Sequence, residues 1–175
     1  DNCAFVEGPP VHLFHPASGD KPDFFVKSKN ETVISLKAET HNFPTTVEPF
    51  NGAATGTGGE IRDRIAGGKG SFPIAGTAVY MTSYPRFKAE TQRVWECRPP
   101  RKWLYQTPLE ILIKASNGAS HFGNKFGQPL ICGSLYTFEH SEEGRNYGFD
   151  KVIMLAGGIG FGKRKDALKD SPKAG

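Results

Sequence analysis

The chain has 175 residues, enough to bury one sizeable core in a single domain. Its 22 basic and 18 acidic residues leave a net charge of +4, divided between two stretches, 86–102 and 163–173, rather than gathered on one basic face. That balance argues against nucleic-acid binding as the main role. The absence of a long apolar run or a signal peptide argues for a cytoplasmic protein with no membrane partner. Cys3, Cys97 and Cys132 show neither zinc nor CxxC spacing and are expected to be free thiols.

Residues 1–23 carry Pro9, Pro10, Pro16 and Pro22 beside His12 and His15, and read as an irregular or edge-type opening segment with surface histidines. Phe24 to Val26 reads as a short strand. Val33 to Thr40 alternates with period two, which predicts a half-buried strand. Ile34, Leu36, Ala38 and Thr40 form its apolar face. The other face ends in Lys37 and Glu39, two charges that must point the same way. Pro44 and Pro49 interrupt any helix spanning 41–51, so this segment is expected to be a fixed, extended loop. Gly52, Ala53, Ala54, Thr55, Gly56, Thr57, Gly58 and Gly59 then read as a glycine-rich turn. Glu60 to Ala66 follows as a helix, with Ile61 and Ile65 on one side. Such a turn leaves backbone N–H groups open to an anion, and the helix N-terminus adds partial positive charge. It matches neither a Walker P-loop nor a dinucleotide fingerprint.

Residues 67–75 form a second turn, Thr77 to Ser83 a strand, and 84–106 an exposed inserted loop. Thr107-Pro108-Leu109-Glu110 is a helix start, with Thr as cap, Pro in the first turn and Glu three residues after the cap. That helix is expected to end at Asn117-Gly118, with a second short helix over Ala119 to Phe126. Pro129 to Phe138 is β-rich, 139–148 is a polar loop or hairpin tip, and Lys151 to Leu155 is a strand running into the glycines of 156–160. The lysine-rich remainder is expected to be disordered or a linker. This predicts one α/β or α+β domain over 1–162 and a tail over 163–175. A chain opening on Asp1 and closing on polar residues is expected of a piece of a longer protein.

The residue types that suit magnesium and phosphate gather in one stretch. A magnesium nucleotide site takes hard oxygen ligands, often one or two carboxylates with phosphates completing the shell. Glu39 and Asp63 are the candidates. Lys37 offers a point charge for phosphate, and Arg62 a bidentate fork. Arg62 and Asp63 also read as an ordinary surface pair on a helix. His41 is either a general base or a loop histidine that holds backbone groups. Asn42 can cap or bind substrate, and Phe43 reads as a packing residue.

The same stretch, KAETHNFPTTVEPFNGAATGTGGEIRD over Lys37 to Asp63, resembles the signature of the phosphoribosylformylglycinamidine synthase family, the glutamine-dependent enzymes of purine biosynthesis. DNCAFVEG, LEILIKASNGASHFGNKFGQP and KVIMLAGGIG are similar to that family in the same order. The resemblance therefore covers nearly all the chain outside parts of 84–106 and the tail. It implies the first aminoimidazole-ribonucleotide-synthetase-like N-terminal domain of the long single-chain form: α/β (α+β), a mixed sheet flanked by helices and able to pair with a partner domain. It also implies ATP and Mg2+ as cofactors and formylglycinamide ribonucleotide as substrate. ATP would activate the amide oxygen as an iminophosphate, from which ammonia made in a glutaminase domain displaces phosphate to give the amidine. The implied partners are that glutaminase and the second synthetase half. The piece alone is expected to be inactive and to pair with itself through its sheet.

Carried onto matching positions, the resemblance has Lys37 contacting ATP, the turn Gly52 to Glu60 lining the nucleotide, and Gly133, between Cys132 and Ser134, as a weaker nucleotide contact. Glu39 and Asp63 would hold magnesium. Thr40, His41, Asn42, Phe43 and Arg62 would lie along the ribonucleotide, with His41 accepting a proton. Many members read THNHP where this chain has Phe43 in place of the second histidine. Three alternatives remain: a cyclising synthetase of the same superfamily, a structural module that only holds nucleotide, and a nucleic-acid binder using 86–102 with its interleaved Phe87 and Trp95.

Overall fold

The computed structural model describes residues 3–86 and 106–174. The expected inserted loop and the basic stretch 86–102 lie almost wholly outside the described residues. The opening segment is more regular than its prolines suggest. It forms β1 (Ala4–Glu7) and β2 (Val11–Pro16), and β2 pairs antiparallel with β3 (Phe25–Asn30). Pro9 and Pro10 precede β2, Pro16 ends it and Pro22 lies in the connection, so the prolines punctuate the strands instead of preventing them. The Phe14 and Phe25 rings stack at 4.9 Å across this hairpin.

β4 (Thr32–Thr40) is the strand the period-two pattern predicts. After it come α1 (Phe43–Val47) and α2 (Pro49–Ile65), where the sequence reading places an extended loop and a glycine turn. Pro44 and Pro49 each sit in the first turn of one helix, where the missing N–H removes no hydrogen bond, so they start helices rather than break one. β5 (Phe72–Thr82) follows, then α3 (Pro108–Lys125), β6 (Leu130–Thr137), the hairpin β7 (Glu139–Glu142) and β8 (Arg145–Gly148), and β9 (Ile153–Lys163). Among the described residues, the main sheet has the order β1-β4-β9-β5-β6, with β5 and β6 parallel and the other pairs antiparallel. This is a mixed sheet flanked by helices, as expected. The edge reading of the opening segment holds for β1.

α3 begins with the full capping box: Glu110 N–H donates to Thr107 Oγ1, and the Glu110 carboxylate accepts from Thr107 N–H at 2.8 Å. It does not stop at Gly118 but runs on through the second predicted helix as one element. Gly118 lies at the crossing of α2 and α3, where a Cβ would stand 2.0 Å from the Phe50 carbonyl oxygen. That glycine marks contact, not termination.

The core lies between the helices and one face of the sheet. Ala53 of α2 and Ile111, Ala115 and Ala119 of α3 pack on Ala78, Tyr80, Met154 and Ala156. Small residues dominate, so helices and sheet approach closely. The tail is anchored further than expected. Lys163 is the last residue of β9, and 164–166 form a 3-10 turn. Arg164 N–H donates to the Glu31 carbonyl, Lys69 N–H donates to the Asp166 carbonyl, and Lys69 pairs with Asp170 at 2.8 Å.

Candidate functional site

β4 turns its faces the opposite way from what hydropathy suggests. Val33 and Ser35 are buried under α2, with Lys37 and Glu39 partly buried on the same side. On the apolar face Leu36 is 40% exposed, Ile159 of β9 38% and Ile131 of β6 66%. The polar face is the inner one because α2 brings it matching polar groups. The outer apolar face forms a shallow concavity of about 580 Å³ lined by Leu36, Ala38, Ala75, Cys132 and Ile159.

The glycines of α2 set that approach. They lie inside a helix, where backbone N–H groups serve the helix ladder, so the expected anion-cradling turn over Gly52 to Gly59 is not there. Spacings of three and four place Gly52, Gly56, Gly59 and Asp63 along one stripe. A Cβ on Gly52 would meet the Pro44–Thr45 backbone at 2.6 Å, and one on Gly56 would meet His41 Cβ at 2.8 Å. One on Gly59 would stand 3.5 Å from Glu39 Cγ. On the flank, a Cβ on Gly58 would lie 2.7 Å from the Phe122 ring. The helix can therefore rest directly on the end of β4, and Asp63 reaches the strand's charges.

Lys37 Nζ lies 2.9 Å from Glu39 Oε2 and 2.9 Å from Asp63 Oδ2. The lysine side chain is 13% exposed, and the carboxylates keep 33% and 30% of their surface open. Hydrogen bonds first to Asp63 and then to Glu39 raise the ammonium above the ordinary lysine value. One cation thus holds two carboxylates from different elements in a cluster that remains open to solvent.

A second network locks α2 from below. Glu60 and Arg64 are fully buried and joined at 2.6 Å, with Gln128 accepting from Arg64 and donating to Glu60. Burial pushes the Glu60 carboxyl up, while Gln128 and Arg64 pull it back. Gly158 and Gly160 of β9 make the room: a Cβ on Gly158 would lie 2.4 Å from Arg64 Nη2. Sequence reasoning assigns Glu60 to the nucleotide and puts Ile61 and Ile65 on one side of the helix. The structure buries Glu60 with Arg64 and leaves Ile65 36% exposed. The i, i+4 spacing of Glu60 and Arg64 was the available signal.

The segment after β4 is stapled to β9. His41 N–H donates to the Met154 carbonyl at 3.0 Å, Met154 N–H to Asn42 Oδ1 at 3.0 Å, and Val152 N–H to Thr46 Oγ1 at 3.0 Å. Thr45 Oγ1 donates to the His41 carbonyl and lies 3.5 Å from His41 Nδ1. The Asn42 amide oxygen is therefore committed to backbone. His41 is half-buried, packed over Gly56 beside the carboxylate cluster. Phe43 is 51% exposed, with Lys151 Nζ 5.9 Å from its ring centre, so it is not the packing residue its type suggests. Thr40 and Arg62 are exposed at the same end of the sheet. Ala54 and Thr55 face outward on α2, while Gly52, Ala53, Gly56, Thr57 and Gly58 are buried in its packing. Gly133 is not brought to the cluster. It sits in β6, three strands from β4, about 14 Å across the sheet.

No family model matches the chain. Its whole length is 37% identical to a segment of phosphoribosylformylglycinamidine synthase from Dictyostelium discoideum and 37% identical to one from Homo sapiens. Over 98% of its length it is 42% identical to the Schizosaccharomyces pombe protein of the same name. The chain spans about 13% of the length of these relatives. Among solved structures, Thermotoga maritima PurL complexed with ATP matches 82% of the chain and 18% of its own length, with 26% identity and a TM-score of 0.52. A Thermus thermophilus protein shares the fold over 82% of the chain and 37% of its own length, at 15% identity and a TM-score of 0.53.

Proposed function

We propose that the chain is a segment of a phosphoribosylformylglycinamidine synthase, like the relatives to which it is 37–42% identical, and that it forms the ATP- and magnesium-binding part of such an enzyme. The observation that carries this reading is the convergence of Glu39 and Asp63, from β4 and α2, on one cation at 2.9 Å each. The donor set fits magnesium: two hard carboxylates, partly open to solvent, with room for phosphates and waters. Glu39 and Asp63 would hold the ion, which when bound would neutralise phosphate charge. A relative of the same fold, the PurL of Thermotoga maritima, was solved with ATP.

In this reading Lys37 meets a phosphate as a point charge, and exposed Arg62 forks onto an anionic oxygen of the ribonucleotide. Thr40 and the exposed Phe43 line the substrate's path along the strand end. The glycinamide carbonyl oxygen of formylglycinamide ribonucleotide takes the terminal phosphoryl group from ATP, releasing ADP. Ammonia then adds at the activated carbon, phosphate leaves, and His41 takes the proton the nitrogen loses. Asn42 positions His41 by holding the Met154 N–H. The open apolar face of the sheet would pair with a second synthetase half in the full-length protein, or with a second copy when the segment is alone. Turnover is expected only with the missing parts present.

The test is the full-length protein carrying Asp63→Asn. Loss of one charged ligand is worth about 1.5 kcal/mol or more, so the affinity for magnesium-ATP should fall at least about tenfold. Unchanged calorimetric affinity would reject the site.

A further inference from the structure

We propose that Lys37 is the resident cation of the carboxylate pair, and that a divalent ion enters by expelling its ammonium, which then becomes available to phosphate. The proposal rests on the magnesium reading above and deepens it. Two carboxylates already converge on a single positive centre, with Nζ at 2.9 Å from an oxygen of each. A divalent cation using those same oxygens would stand within a few ångströms of the ammonium. Like charges at that range repel strongly in a site only partly open to water.

The exchange is allowed by the surroundings. Lys37 and Glu39 sit two residues apart on one face of β4, and their neighbours on β9 are Gly158 and Ala156. These small residues set no wall against a swing of the long lysine stem. The carboxylates keep about a third of their surface exposed while the ammonium stem is covered, so the acids are the side from which an ion arrives. With the ammonium in place the cluster carries a net charge of −1, and with a divalent ion in its stead it is neutral and the lysine is free. One residue therefore fills two roles in sequence. It balances the acids before the metal comes, and it meets the phosphate once the metal has taken its place. The arrangement makes the phosphate-binding charge conditional on the metal.

The experiment is pulsed acetylation of the unmodified full-length protein with an amine-reactive acetyl donor, read at Lys37 by peptide mass spectrometry. Magnesium chloride alone should raise Lys37 labelling on the order of tenfold, because a charge-assisted contact is lost. Magnesium with ATP should suppress it again. Labelling unmoved by magnesium, in protein whose magnesium affinity falls on Asp63→Asn, would overturn the exchange while leaving the metal site intact. Magnesium affinity unmoved by Asp63→Asn would overturn both. As a second arm, Lys37→Met, which keeps the stem and removes the charge, should bind magnesium more tightly in the absence of nucleotide. Equal or weaker binding by the folded variant would also overturn the exchange.

Discussion

Arg64→Met should cost about 3–5 kcal/mol of folding stability, because it strands the Glu60 carboxylate in the interior. Both side chains are fully buried and bridged by Gln128, with Arg64 Nη1 left without a hydrogen-bond partner among the described residues. Methionine keeps much of the volume but removes every donor. The loss should depend on pH in a definite direction. Burial already raises Glu60 above the ordinary carboxyl value of 4.5. A group with a raised folded pKa stabilises the fold at pH values below its unfolded pKa, and that stability is lost as pH rises through its folded one. Without Arg64 the carboxyl shifts up further, so the variant should recover much of its deficit in mild acid, where protonated Glu60 needs no cation. Urea unfolding at several pH values measures this. A deficit under about 1 kcal/mol at neutral pH would show that α2 does not depend on the pair. Adding Glu60→Leu to Arg64→Met should restore part of the loss, since no buried charge is then left alone.

His41→Ala in the full-length protein should lower turnover by about 100- to 10,000-fold, the usual worth of a positioned general base. Its fold should survive. The backbone of His41, not its ring, holds Met154, and the carbonyl rather than the imidazole takes the Thr45 hydroxyl. Ammonia-dependent amidine formation and a thermal melt, measured side by side, separate chemistry from scaffold. Turnover within about threefold of the parent, with an unchanged melt, would make this a structural nucleotide module; the predicted loss instead follows from placing a base there.

The three residues of the charged cluster were legible before the fold was known, and the fold brings them together. Lys37, Glu39 and Asp63 are named by chemistry alone, because hard oxygens and a point charge are what a magnesium nucleotide needs. The geometry around them was not legible. Read locally, Gly52 to Gly59 signals a turn, since glycine disfavours helix. It is helix nonetheless, and its glycines answer to packing: Pro44 and His41 lie against that face and leave no room for a side chain at Gly52 and Gly56. Gly118 misleads for the same reason, with the Phe50 carbonyl as the crowding group. β4 is correctly a strand, but its apolar side faces out. Hydropathy assigns an inner face on the assumption that the layer above is apolar, and α2 presents Asp63, Glu60 and Arg64 instead. The strand pattern carries no information about that helix.

The glycines of α2 also bear on the order in which the chain assembles. Gly52, Gly56, Gly58 and Gly59 together withhold roughly 3–4 kcal/mol of helix propensity relative to alanine. Detached from the sheet, this segment has little reason to coil. α3, with its capping box and a single apolar side, has every local reason to form early. Nucleation should therefore fall to α3 and the strands it covers, and α2 should condense afterwards onto a surface already made. Destabilising substitutions in α2 would then quicken unfolding and leave the refolding rate nearly untouched, with φ-values near 0. Ile111→Val in α3 would slow refolding instead. Stopped-flow chevrons showing high φ-values across α2 would reverse that order. The element that carries Asp63 is, on this account, the last to arrive and the first to leave.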